Sequence, residues 1–248
     1  SNSSANSIDA SPLLRFIPTR SHFAIASRDL PQLWADSARS SKPDWQQSLT
    51  ALQQTLGLPL TEIADLQPVL QGDFGLAQVP HPGRADDWLL VVQKSPATEA
   101  ALTQLDQLAQ QQGMSLGSFQ LADQTIYAWT KLKPSEISGA VSLQAEVQAV
   151  RTTFGDYALF ATSLEALEQA LSDTGTSLAT SADFKAALNQ LPPPNQGYLY
   201  LDRKALEQRL QPKPLLKTLL RSTQSALITR YGTDEIGQRA TAFLRLVD

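Results

Sequence analysis

The chain has 248 residues, 42% of them hydrophobic and 18% charged, and a formal net charge of −4. That apolar fraction supplies a sizeable core, while the mild acidity argues against general nucleic-acid binding, which needs many phosphate-neutralising cations. With no Cys and only His22 and His81, disulfides, thiolate zinc centres, iron–sulfur clusters, cysteine nucleophiles and histidine-rich metal sites are all excluded.

The opening SNSSANSIDASP is polar and aperiodic, so residues 1–11 read as a flexible lead-in that buries too little surface to offset its ordering entropy. It is either a spacer left behind a removed signal or membrane anchor, or a tag remnant on a frayed terminus. Pro12 to Arg15 runs into Phe16-Ile17-Pro18, and Ser21 to Ser27 alternates as a strand. Asp29, with Pro31 and Gln32 behind it, marks a helix start. A second helix is expected from Asp44 to Leu56, with Trp45, Leu49, Leu52 and Leu56 on one face and Gly57 as its stop. TEIADLQPVL is a short helical turn broken by Pro68.

Strands follow at Asp73 to Val79 and Trp88 to Gln93, read as a hairpin across PHPGRADD. Ser95-Pro96 starts a helix through Gln112 that Gly113 ends. Ser118 to Leu121 and Thr125 to Leu132 form a further hairpin. Lys133 to Leu143 is less regular and reads as a linker or exposed loop. Glu146 to Phe154 and Tyr157 to Ala161 are strands turning at Gly155-Asp156. Ser163 caps a helix carrying Leu164, Leu167 and Leu171. A short helix at Ala182 to Gln190 leads to the strand Tyr198 to Asp202. Helices at Lys204 to Leu210 and Pro214 to Ser222 precede a closing hairpin, Ser225 to Arg230 and Arg239 to Val247. Strands that come mostly as hairpins predict an α+β fold with a mostly antiparallel sheet and helices packed against it. Residues 12–248 are expected to form one domain. A proline-led strand followed by a helix occurs at Ile17 to Trp34 and again at Leu191 to Leu210, which hints at duplicated halves, about 12–139 and 140–248.

The chemical motifs are sparse. Asp73-Phe74-Gly75 spells the kinase magnesium tripeptide, but the glycine-rich loop and catalytic-loop Asp of a kinase are missing, so the match is read as chance. His22 and His81 have general-base chemistry, and each is more simply a turn histidine. Asp86-Asp87 and Asp234-Glu235 lack the spaced ligands of a calcium loop and read as solvated turns. The aromatics Trp34, Trp45, Trp88, Trp129, Tyr127, Tyr157, Tyr198 and Tyr200 line either the core or an apolar ligand groove. The clearest asymmetry is electrostatic. From Arg203 to Arg230 the charge is +6, against −10 for the rest of the chain. Lys213, Lys217 and Arg221, spaced by four, share one helix face opposite a run of leucines. They are the candidate interaction face, either for an anionic membrane surface or an acidic protein partner, or simply a solvated face.

The order of a proline-preceded strand, LQPVLQGDFGLAQV, WLLVVQKSPATEAALTQL, YALFATSLEALEQAL and SLATSADFKAALNQLPPPNQGYLYLD resembles the bacterial, cyanobacteria-rich domain-of-unknown-function family 3352, over roughly residues 12–248. Where that family often has Trp before Leu-Gly, this chain has Val69-Leu70-Gln71-Gly72. The resemblance implies an extracytoplasmic protein, in the periplasm or thylakoid lumen, held by a membrane anchor in its full-length form. It implies no catalytic residues. Sequence reasoning therefore assigns no catalytic, cofactor-binding or metal-binding residue and expects no cofactor. It favours a non-enzymatic binding or scaffolding module near a membrane. A carrier or sensor of a small hydrophobic ligand comes second and an undiscovered hydrolase third.

Overall fold

The protein is described here from a computed structural model, which covers residues 11–28, 72–121, 123–137, 140–172, 176–191, 197–209, 222–234 and 237–246. The expected helices after Asp29, at Asp44 to Leu56 and at Pro214 to Ser222, and the turn TEIADLQPVL, lie outside these residues. In chain order the described elements are α1 (Ser11–Leu14), β1 (Phe23–Arg28), β2 (Asp73–Val79), β3 (Asp87–Gln93), α2 (Pro96–Gln111), β4 (Ser115–Leu121), β5 (Gln124–Ile137), β6 (Ala140–Phe154), β7 (Tyr157–Ala161), α3 (Leu164–Leu171), α4 (Ala182–Leu188), β8 (Gly197–Asp202), α5 (Arg203–Arg209), β9 (Thr223–Asp234) and β10 (Gly237–Leu246). The strands pair antiparallel and helices pack on them, so the fold is α+β as expected. Among the described residues no helix is long and apolar enough to cross a membrane.

The chain separates into two units. One holds α1, β1, β2, α4, β8, α5, β9 and β10; the other holds β3 from Trp88 onward, α2, β4 to β7 and the start of α3. In the first unit the strand order is β10-β9-β8-β1-β2, all antiparallel. β1 lies between β8 and β2 and is buried along Phe23, Ala24, Ile25 and Ala26. Ser11, the last residue of the expected lead-in, opens α1, and this helical turn buries Leu13 and Leu14, with Phe16 and Ile17 following. Ile17 O accepts from Leu178 N at 2.8 Å, which ties this segment to the chain before α4.

In the second unit the order is β3-β7-β6-β5-β4, again antiparallel. α2 starts where the sequence predicts. Ser95 is extended and its hydroxyl accepts from Thr98 N at 3.1 Å, with Pro96 in the first turn, which satisfies one of the open N–H groups of the helix start. The helix ends at Gly113, whose φ of +78° closes the last turn. Leu102, Leu105 and Ala109 bury its apolar face. Ser163 caps α3 by accepting from Ala166 N at 3.1 Å, and Leu167 is fully buried as its stripe predicts.

The segment from Lys133 to Leu143 departs from the reading as a linker or loop. It continues β5 and β6 into a hairpin whose last seven pairs, from Lys131↔Glu146 to Ile137↔Ala140, have no third strand among those described: β4 reaches only Thr130, and β7 only Val150. Pro134 looks like a breaker in the sequence, yet it is tolerated where a strand has a free edge and loses no ladder bond on that side.

Candidate functional site

Three places gather chemistry. The first lies where β1 and β8 begin and end. His22 N donates to Gln78 O at 2.9 Å and Asp202 N to His22 O at 2.9 Å, so backbone pairing places His22 beside Asp202. His22 Nδ1 is hydrogen-bonded to Asp202 Oδ2. The other carboxylate oxygen, Oδ1, caps α5 by accepting from Ala205 N at 2.8 Å. Lys204, in the first turn of that helix, puts Nζ 3.1 Å from His22 Nε2 and 3.4 Å from Asp86 Oδ2. An ammonium has no lone pair, so Nε2 accepts and Nδ1–H donates to Asp202. His22 thus has the orienting carboxylate that a general base needs, 180 residues away in sequence. Its outward nitrogen, however, meets an ammonium in place of a hydroxyl. The neighbouring Ser21 hydroxyl is buried and donates to Pro18 O at 2.7 Å.

The second place is a cleft of about 220 Å³ in the same unit. Its floor is apolar, built from Leu178, Phe184, Ala187 and Leu227, with the half-buried rings of Tyr200 and Phe243 beside them. α4 delivers Phe184 because Ser181 caps its start, accepting from Phe184 N at 3.3 Å. The Phe184 ring then meets Tyr198 and Tyr200 at centroid distances of 6.5 and 6.1 Å. At the mouth Arg245 pairs with Asp183, at 39% and 62% side-chain exposure. Burial raises the pKa of Tyr200, with the charge of Asp202 adding to the effect, so the phenol is a neutral donor across the physiological range.

The third place is the projecting β5–β6 hairpin. Leu132 is 61% exposed, Leu143 68% and Val147 40%. Cross-strand partners share a face of a sheet, and successive residues alternate. The pairs Thr130↔Val147, Leu132↔Ala145 and Pro134↔Leu143 therefore put these apolar side chains on one side. Lys131, Lys133, Gln144 and Glu146 occupy the other, where Lys133 and Glu146 form an ion pair.

The predicted features distribute as follows. Lys213, Lys217 and Arg221 lie outside the described residues, as do Trp34, Trp45 and Glu235. Asp73 holds a strand end through Arg28, with Nε–Oδ1 at 2.6 Å, and Phe74 is buried core; no kinase chemistry is built there. His81 sits in the loop after β2 and hydrogen-bonds Pro82 O at 2.9 Å. Asp86 and Asp87 are not solvated: Asp87 is 5% exposed and takes Arg84, while Asp86 takes Lys204. Among the described candidate groove aromatics, Trp88 and Trp129 are core, and Tyr200 alone lines the cleft. Arg245 and Asp183 were invisible as site residues, because nothing local distinguishes them from other surface charges.

The model of the family described as "Protein of unknown function (DUF3352)" matches residues 1–246. No curated protein matches the chain, and no solved structure does.

Proposed function

We propose, from the premise that the chain belongs to the DUF3352 family, that it is a non-enzymatic binding or scaffolding module working outside the cytoplasm and close to a membrane. One observation carries the binding part: the exposed apolar side of the β5–β6 hairpin. Soluble proteins scatter surface apolar residues singly. Here Leu132, Leu143 and Val147 share one face of a two-stranded ribbon, a structure only marginally stable by itself in water. A protein partner laid on that face removes the apolar surface and supports the ribbon. The test is photo-crosslinking in the full-length protein in its native membranes, from position 132 or 143 and, as control, from position 144 on the opposite face. Adducts with a defined protein from the apolar face alone are expected, and those from position 132 should be lost when Leu143→Ser and Val147→Ser are introduced beside the probe. Equal labelling from both faces, or none, overturns the reading.

The membrane part rests on the sequence spacing of Lys213, Lys217 and Arg221. Each cation near an anionic surface contributes about 1 kcal/mol, attenuated beyond a Debye length. Salt-sensitive co-sedimentation with anionic but not neutral vesicles is expected, abolished when all three become Gln. A chain that ignores anionic vesicles at low salt sinks this part alone.

A second reading, as carrier or sensor of a small ligand, is favoured by the cleft above Phe184 and Tyr200. We also infer an internal duplication. SPLLRFIP at 11–18 and KAALNQLP at 185–192 both lead into a strand, at one constant offset of 174 residues that takes Ile17 to Leu191 and Ile25 to Leu199. In support, Ile17 and Leu191 are both buried, and Ile25 lies directly opposite Leu199 in the antiparallel β1–β8 pair, the register that a two-fold axis between equivalent strands produces.

A further inference from the structure

The cleft in the first unit has a chemistry specific enough to name a ligand class. Its floor is aromatic and aliphatic, which selects an apolar body. A cavity of about 150 Å³ holds one benzene ring, so 220 Å³ holds a ring with a short arm. Apart from Asp183, the described polar groups around it can each donate a hydrogen bond. Arg245 presents a guanidinium, and Tyr200 a neutral phenol whose pKa burial raises further above the physiological range. The Ser225 hydroxyl lies within hydrogen-bonding reach of Tyr200, and Gln224 and Ser181 complete the rim. Among the described lining residues the one carboxylate, Asp183, is the more exposed member of its pair with Arg245. An exposed ion pair contributes little net stability, so Asp183 can yield Arg245 to a competing anion and turn to water. A cationic ligand would find one carboxylate already neutralised and a guanidinium beside it.

We propose that this cleft binds a compact monocarboxylate with an aromatic or branched aliphatic body, the carboxylate held by Arg245 and the Tyr200 hydroxyl and the body lying on Phe184, Leu178 and Leu227. The proposal rests on the carrier or sensor reading and gives it a ligand class. A fork-shaped guanidinium matches a carboxylate bidentately, and Tyr200 on β8 and Arg245 on β10 approach it from different strands of one sheet.

The probe is phenylacetate, titrated into the full chain by NMR beside its neutral isostere phenylacetamide and its cationic counterpart phenethylamine. For about ten non-hydrogen atoms, saturable binding near about 1 mM is expected, with both counterparts weaker by about tenfold. Arg245→Gln should weaken phenylacetate by about tenfold, and Arg245→Lys should restore part of the loss. Tyr200→Phe should weaken it by a smaller factor. Asp183→Asn, at an exposed position, should tighten it several-fold by releasing Arg245. That variant also guards against misfolding as an explanation, since it predicts a gain. If phenylacetamide or phenethylamine binds as well as phenylacetate, or Asp183→Asn weakens binding, the carboxylate class is overturned while the carrier reading survives. If none of the three probes perturbs the cleft resonances at about 20 mM, both fall.

Discussion

Replacing Asp106 by Ala is expected to destabilise the second unit by about 3–5 kcal/mol, the usual cost of removing one partner from a buried charge pair. Asp106 projects from α2 and is 7% exposed. Its Oδ1 accepts from Trp129 Nε1 at 2.8 Å and from Arg151 Nε at 3.0 Å, and its Oδ2 takes Arg151 Nη2. The guanidinium also lies 4.2 Å from the Tyr127 ring centroid, and Trp129 meets Phe160 edge-on at 5.1 Å. One carboxylate thus fastens the helix to β5 and β6. Without it a buried indole N–H and a mostly buried cation have no acceptor, and burial makes both omissions costly. Denaturant unfolding followed by tryptophan fluorescence checks this. Asp106→Asn should fall between Ala and wild type, since its amide oxygen still accepts from Trp129. The double change Asp106→Leu/Arg151→Met should recover much of the loss by removing both charges together. A cost below about 1 kcal/mol for the Ala variant would mean the network is as weak as an exposed pair.

Gly197→Ala should cost about 3 kcal/mol or more, the sum of backbone strain and overpacking. Gly197 opens β8 at φ +124°, and a Cβ built there would lie 2.4 Å from Ala26 O and 2.9 Å from Ser27 Cα. Those are backbone atoms of β1, the strand paired with it, so no side chain can swing aside. Relief requires parting β1 from β8 at the centre of the first unit's sheet. On its other side β8 is held to β9 there by the Thr229 Oγ1 bond to Gly197 O, 2.7 Å long, which leaves Gly197 little room to shift away from β1. Gly117→Ala is the control: nothing lies within 4 Å of its added Cβ, and its effect on the thermal midpoint should be small. Equal midpoints for the two variants would show that the β1–β8 pair separates freely.

Local structure was legible because its causes are local. The caps at Ser95 and Ser163 join atoms three residues apart, and Gly113 and Gly155 supply the positive φ their turns need. Such interactions stand in the sequence as short-range patterns. The apolar stripes told which faces are buried, as at Leu167, and the hairpin rhythm told α+β. The β5–β6 extension was missed because Pro134 carries a breaker signal and its strand is held by cross-strand bonds alone.

Contacts across the fold were decided by tertiary structure. His22 meets Asp202 because β1 and β8 are neighbours, Asp106 meets Arg151 because α2 lies on β6, and Tyr200 shares a cleft with Arg245 because β9 sets β8 and β10 on either side. Periodicity gives each residue a face but no neighbour, since the pattern repeats every two or 3.6 residues whatever strand comes alongside. The sequence by itself determined most of the described elements, the buried side of several of them, and the fold class. Which charges pair, which aromatics border a cleft and which apolar face stays exposed depend on strand order, a long-range choice made by the packing of the whole core.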